Sequence, residues 1–306
     1  MSRRILLVFF LVAFLGLIWW WPGDNFRIIV CDVGQGEAIL FSRRFQQILV
    51  DGGPSRKILT CLNQHMPLGD KTIEMVMLTH PESDHGRGLL YVAERYKMKY
   101  FVSGGVGSNS EFYKSLLATL SSQETVLINA YRGDELTVAG AKFTFLWPDR
   151  DWVRQGLSDV KTKELLSTPL KNNKVYKKAT KIWAAVDERL PFNDYSLAFY
   201  ASYQDFDLLM MGEADSRVQP QISQSVRLTR PDILKVAHHG AKEAFRVDFL
   251  EQVVGQAAVI SVGENSWGHP DPELIARLGK LGMEVWRTDK MGDIEIITNG
   301  RFWWRE

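Results

Sequence analysis

Residues 75–79 form a short apolar run that passes directly into Thr79-His80-Pro81-Glu82-Ser83-Asp84-His85-Gly86. Such a run reads as a buried strand, so the polar segment behind it belongs to a loop at a sheet end. Four side chains able to bind a metal ion fall within six residues there. Alternate side chains of an extended segment point the same way. His80 and Glu82 could therefore grip one ion while Asp84 and His85, adjacent on a turn, grip a second. An ordinary polar loop is the alternative; two histidines and two carboxylates at this spacing argue against it.

The pattern recurs along the chain. Lys235-Val236-Ala237-His238-His239-Gly240 again runs from a strand into histidines and a glycine. Gly212-Glu213-Ala214-Asp215 closes the apolar run 208–211, and Gly268-His269-Pro270 lies in a loop. Of the six histidines, His65 alone sits in a helical pattern, where a structural role is expected. Any one of the others could cap an element or satisfy the core. Together they read as scattered ligands of one metal centre built on sheet edges.

Strand patterns at 26–33, 37–42 and 47–51 suggest a meander, followed by a helix at 57–66 and the strand at 75–79. A helix at 88–97 and strands at 100–102, 125–128 and 142–146 come next. A hairpin is expected from 196–203 and 208–211, turning at 204–205. Strand and helix then alternate through 233–237, 245–254, 257–262 and 273–282, with final strands at 284–287 and 294–297. This order predicts an α/β fold of two sheets sandwiched between helices. A 306-residue chain that is 45% hydrophobic and 24% charged can build the core this requires. The net charge of +1 does not decide for or against an anionic partner.

Three further features bear on location and partners. Arg3-Arg4 precede an uncharged apolar run over residues 5–22 that includes Trp19, Trp20 and Trp21. Eighteen helical residues rise about 27 Å, close to the hydrocarbon thickness of a bilayer. The run has no A-x-A-like cleavage site, so residues 1–24 read as an uncleaved signal anchor holding residues 25–306 outside the cytoplasm. Secretion after cleavage is the alternative. Residues 150–189 carry ten Lys/Arg against five Asp/Glu, either a solvated loop or a basic flap that contacts phosphates. Cys31 and Cys61 lack metal-finger or redox spacing. Each lies in or beside an apolar run and reads as a buried thiol, a disulfide being the alternative.

Asp32-Val33-Gly34-Gln35-Gly36-Glu37, Ile48-Leu49-Val50-Asp51-Gly52-Gly53, the His80–His85 segment, His238-His239-Gly240 and Gly268-His269-Pro270 follow one another in a particular order. In that order and approximate spacing, residues 26–298 resemble the ComEC-like metallo-β-lactamase domains of DNA-uptake (competence) proteins. Arg287-Thr288-Asp289 and Gly292 fit as well. The resemblance implies an αββα sandwich, with two divalent ions, Zn or Mn, in the groove between the sheets. By position, His80 and Glu82 would hold the first ion, and Asp84, His85 and His238 the second. Asp51 would orient a ligand histidine; His239 and His269 would face the substrate or brace the site. Asn193 and Ser196 match a family segment near the first ion.

Glu82 stands where the superfamily has a second histidine, and Glu37 where an aspartate is common. The bridging aspartate is replaced by Glu213, with Asp215 two residues later, so either carboxylate could bridge. The implied activity is extracytoplasmic hydrolysis of DNA phosphodiesters, with Asp84 and His269 as catalytic candidates. Lys235 and the 150–189 insertion would contact phosphate. A separate channel protein is a further candidate partner that the resemblance leaves open, the family's polytopic channel not lying within these 306 residues. Two other readings remain: hydrolysis of a small ester, lactone or cell-envelope phosphoester, and a degenerate module that only binds DNA.

Overall fold

The computed structural model describes residues 22–156, 185–186 and 191–306. The expected anchor therefore lies outside the described residues, apart from residues 22–24. So does the basic insertion, except for the helix Arg150–Gly156 and the backbone at 185–186. Among the described residues no helix is long and apolar enough to cross a membrane.

The strands are β1 (Phe26–Val30), β2 (Ile39–Arg43), β3 (Gln46–Val50), β4 (Thr72–Leu78), β5 (Lys97–Ser103), β6 (Val106–Gly107), β7 (Val126–Asn129), β8 (Glu135–Val138) and β9 (Ala141–Trp147). They continue with β10 (Ala185–Val186), β11 (Ala198–Tyr203), β12 (Phe206–Met210), β13 (Ile233–Lys235), β14 (Ala257–Ile260), β15 (Glu284–Arg287), β16 (Ile294–Thr298) and β17 (Trp303–Arg305). One sheet runs β17-β16-β1-β2-β3-β4-β5-β7, the other β15-β14-β13-β12-β11-β9-β8. Each is antiparallel in its hairpin-rich part and turns parallel where helices intervene, from β3 to β7 in the first and from β12 to β15 in the second.

Strand periodicity decides which side chains meet. Phe26, Ile28 and Val30 of β1, Phe41 of β2 and Met75 and Met77 of β4 face inward, against Phe143, Phe199, Leu208 and Met210 of the opposite sheet. The alternating residues Ile29, Leu40, Leu49 and Val76 face outward. There they meet Ile58 and Leu62 of the helix Lys57–His65, Val92 of Gly88–Ala93, and Leu116 and Leu120 of Glu111–Ser122. Leu209, Leu234 and Ala258 likewise face Ile222, Phe249, Leu274 and Leu278 from three helices on the far side. Each fully buried side chain of this kind contributes about 1.5–3 kcal/mol. The result is the expected αββα sandwich. The expected helix at 245–254 shrinks to Val247–Leu250, and the one at 88–97 stops at Ala93 because the chain enters β5 at Lys97.

Cys31 and Cys61 correct the thiol reading, because they form a disulfide with Cα atoms 5.9 Å apart. The bond ties the end of β1 to the helix Lys57–His65 and closes a loop of 30 residues, a constraint worth about 3–4 kcal/mol. His65 has the structural role expected of it. Its Nε2 lies 3.1 Å from Asp293 and its Nδ1 3.4 Å from Glu295, and these carboxylates raise its pKa to about 9 despite partial burial.

Candidate metal centre

The ends of β3 and β4 build one wall of the site. Asp51 follows β3 in a left-handed conformation (φ 58°), uncommon for a residue with a side chain, and this turns its carboxylate behind β4. Asp51 Oδ1 accepts the backbone N–H of Thr79 at 2.8 Å and Oδ2 accepts the Thr79 hydroxyl at 2.6 Å. Oδ2 also lies 2.7 Å from His85 Nδ1. A carboxylate in that position accepts a hydrogen bond from Nδ1–H and leaves Nε2 to face the groove. Thr79 does the same for His80, whose Nδ1 is 3.1 Å from a hydroxyl already donating to Asp51. His239 Nδ1 lies 2.8 Å from the carbonyl of Ser261, which can only accept. Three buried imidazoles thus turn their Nε2 atoms inward, and those of His80 and His239 make no well-aligned hydrogen bond.

What these atoms face is Glu213. Gly212, at the end of β12, has φ 50°, and a Cβ there would come within 2.5 Å of Ser196 Oγ. The close approach lets Glu213 N–H donate to Ser196 Oγ at 2.9 Å and sends the Glu213 side chain into the groove. Its Oε1 is 3.2 Å from both His85 Nε2 and His239 Nε2, while Oε2 is 3.2 Å from His80 Nε2. Ligand atoms of Asp84, His85, Glu213 and His239 lie within 4.8 Å of one another, as do those of His80, Glu82 and Glu213. One carboxylate belongs to both groups.

The charges agree with a cation-binding pocket. Burial and His85 depress the pKa of His80, but Glu213 and Glu82 outweigh them and hold it at about 9. Burial is outweighed in the same way at His85 by Asp51 and Asp84, and at His239 by Asp84 and Glu213, so both are raised. Glu213 is held well below the ordinary carboxylate range by His80 and His239, against the effect of burial. Glu213 therefore stays ionised, and the protons on the inward nitrogens are those a metal ion would displace. Donor set and orphaned nitrogens both fit divalent ions.

Several expected placements change. His239, not His238, joins Asp84 and His85. Both histidines have positive φ (49° and 51°), and this turn sends His238 away, with Nδ1 3.5 Å from Asp215 and Nε2 3.5 Å from Asn193. Asp215 is held by Arg217, whose Nε and Nη2 lie 3.1 Å from its oxygens, and belongs to neither ligand group. Lys235 is fully buried and ion-paired to buried Glu37, so it is not available to phosphate. Removing one partner of such a pair costs about 3–5 kcal/mol, which makes Lys235 structural. Glu37 in turn donates its N–H to the carbonyl of Asp84 at 3.3 Å, bracing the ligand loop from behind. His269 sits at the rim with its ring 5.8 Å from that of His238. Asn193 reaches His238, and Ser196 acts through the Glu213 backbone. Thr79 and Ser261, which set the histidine tautomers, carried no sequence signal of their own. A third acidic group around Cys61, His65 and Asp293 is no ligand set, because the Cys61 sulfur is in the disulfide.

No protein-family model matches the chain. It is 22% identical to ComE operon protein 3 of Bacillus subtilis over 316 residues, covering 95% of this chain and 35% of that protein. It is 23% identical to Recombination protein 2 of Haemophilus influenzae, covering 89% of this chain and 29% of that protein. The metallo-β-lactamase fold protein YhfI from Bacillus subtilis superposes with a TM-score of 0.52 at 13% identity, covering 92% of this chain and all of that one. The chain thus resembles ComEC-family proteins in sequence and has the metallo-β-lactamase fold. It spans about a third of the length of the curated relatives it matches. The fold is also shared by CmlA, a diiron β-hydroxylase from Streptomyces venezuelae, with a TM-score of 0.50 at 10% identity over 90% of this chain and 54% of that one. These likenesses show the fold of the chain, while its chemistry rests on its own side chains.

Proposed function

We propose that this ComEC-like domain is a two-metal phosphodiesterase that hydrolyses DNA outside the cytoplasm, in connection with DNA uptake. The observation that carries the reading is Glu213, whose two oxygens are divided between the groups His80/Glu82 and Asp84/His85/His239. A pair of divalent ions, Zn or Mn, held by these groups would supply a nucleophile at neutral pH and neutralise charge developing on phosphate oxygens. The chain's own residues prepare for this. Asp51 and Thr79 fix the first two histidines, and the Ser261 carbonyl fixes the third. His238 and His269 line the rim, where a substrate would arrive. Burial and the nearby His238 lower the pKa of His269, which keeps that imidazole neutral and able to accept a hydrogen bond.

The test joins metal analysis with hydrolysis by the full chain. Two equivalents of Zn or Mn per chain are expected, with cleavage of DNA that stops on chelation and returns with metal. Turnover of small esters or lactones without DNA cleavage would replace the substrate class. DNA binding with no turnover in any metal would replace the enzyme.

The extracytoplasmic placement is supported by the residue 5–22 run and by the Cys31–Cys61 disulfide, a bond rarely retained in a reducing cytosol. External protease should digest the domain in intact spheroplasts. Digestion only after lysis would reverse the topology.

A further inference from the structure

We infer that Trp267 is a stacking platform for a nucleobase of single-stranded DNA beside the metal centre. This deepens the phosphodiesterase reading and rests on it. Trp267 is 69% exposed, the most exposed tryptophan or phenylalanine among the described residues. A single exposed apolar side chain is common on protein surfaces, so its setting decides what it can do. Its loop is not left to chance, because one side chain fastens it. Asn265 Oδ1 accepts the backbone N–H groups of Trp267 at 3.1 Å and His269 at 3.0 Å. Asn265 Nδ2 donates to the carbonyls of Gly263 at 2.9 Å and His269 at 2.8 Å. Gly268 takes a left-handed φ of 80°, which lets the turn between the two rings close tightly.

The indole stacks on the imidazole of His269, with centroids 6.4 Å apart and planes 24° apart. His269 in turn meets His238, the neighbour of the ligand His239. The exposed tryptophan is therefore two ring contacts from the residue adjoining the centre. Glu264, Ser266 and Gly268 around it are exposed and supply no second apolar side chain. Such a surround suits one flat ring in a polar setting, not the apolar patch of a protein partner. Because the loop is ordered beforehand, a base stacking there loses little to ordering the protein. A stack of this kind tolerates any base, since every base has a π-face.

The test measures binding to the full-length, metal-loaded protein. Its probes are a ten-nucleotide oligo-dT with phosphorothioate linkages, which slow hydrolysis, and an abasic strand of the same length and linkage. The wild type is expected to bind oligo-dT more tightly than the abasic strand, with quenching of tryptophan fluorescence. Trp267→Ala should weaken oligo-dT binding by about 5- to 150-fold, the range of one base–aromatic stack. It should leave the abasic strand and the metal content unchanged, and Trp267→Phe should restore most of the difference. Equal binding of oligo-dT by wild type and Trp267→Ala overturns the platform, as does a wild type that does not distinguish the two strands or binds neither. A base-dependent loss in a protein that hydrolyses no DNA keeps the platform and removes the phosphodiesterase.

Discussion

Glu213→Gln is expected to cost this protein bound metal and at least about 100-fold in activity, while Asp215→Asn keeps both ions, since even residues that merely support a ligand are worth about 10–100-fold. Glu213 places one oxygen 3.2 Å from His80 Nε2 and the other 3.2 Å from His85 and His239 Nε2. A glutamine can offer its oxygen to one side only, and turns an NH2 group toward the other. Asp215 instead serves the Arg217 side chain and backbone and belongs to neither ligand group. Glu213→Asp should keep part of the activity, because the carboxylate survives but falls short by a methylene. Metal analysis and turnover of the three variants, with circular dichroism to check the fold, decide the matter. An inactive Asp215→Asn beside a near-normal Glu213→Gln would move the bridge.

The adjacent histidines give the second large contrast. His239→Ala removes an inward nitrogen and should lower metal content toward one ion per chain, again with a loss of about 100-fold or more. His238→Gly should keep two ions. It should also fold at least as well as the wild type, because His238 has φ 49° and a residue with a Cβ pays about 1–2 kcal/mol in that region. Its effect should appear as weaker substrate binding at the rim. Thermal melts and metal content of the two variants test this. Loss of an ion in His238→Gly, with both kept in His239→Ala, would reverse the turn described here.

The two histidines also show where sequence reading stops. The strand–loop segment from His80 to His85 was legible because an apolar run and four donors lie within a few residues. The sandwich was legible because alternation along β1–β4 and β12 assigns each side chain to a face. Which member of a His-His pair turns inward depends on two successive left-handed residues, a conformation that composition does not announce. Glu213 and Asp215 are both acids just past a strand end, and only the close packing of Gly212 on Ser196 separates them. Lys235 looked free to meet phosphate because its partner, Glu37, lies 198 residues away. The helix Glu111–Ser122 was missed, although Tyr113, Leu116 and Leu120 stand at helical spacing. The half-buried β8 carried little.

The centre draws on both halves of the chain. Asp51, His80, Glu82, Asp84 and His85 follow strands of one sheet, whereas Glu213 and His239 follow strands of the other. No half can assemble it alone, so metal ions held by these groups would enter only after the two sheets have docked. Once bound, they act as rivets between the layers, and their binding free energy becomes part of the stability of the folded chain. Under the proposed function, a cell short of the metal would hold not merely a silent enzyme but a looser one, more open to proteolysis.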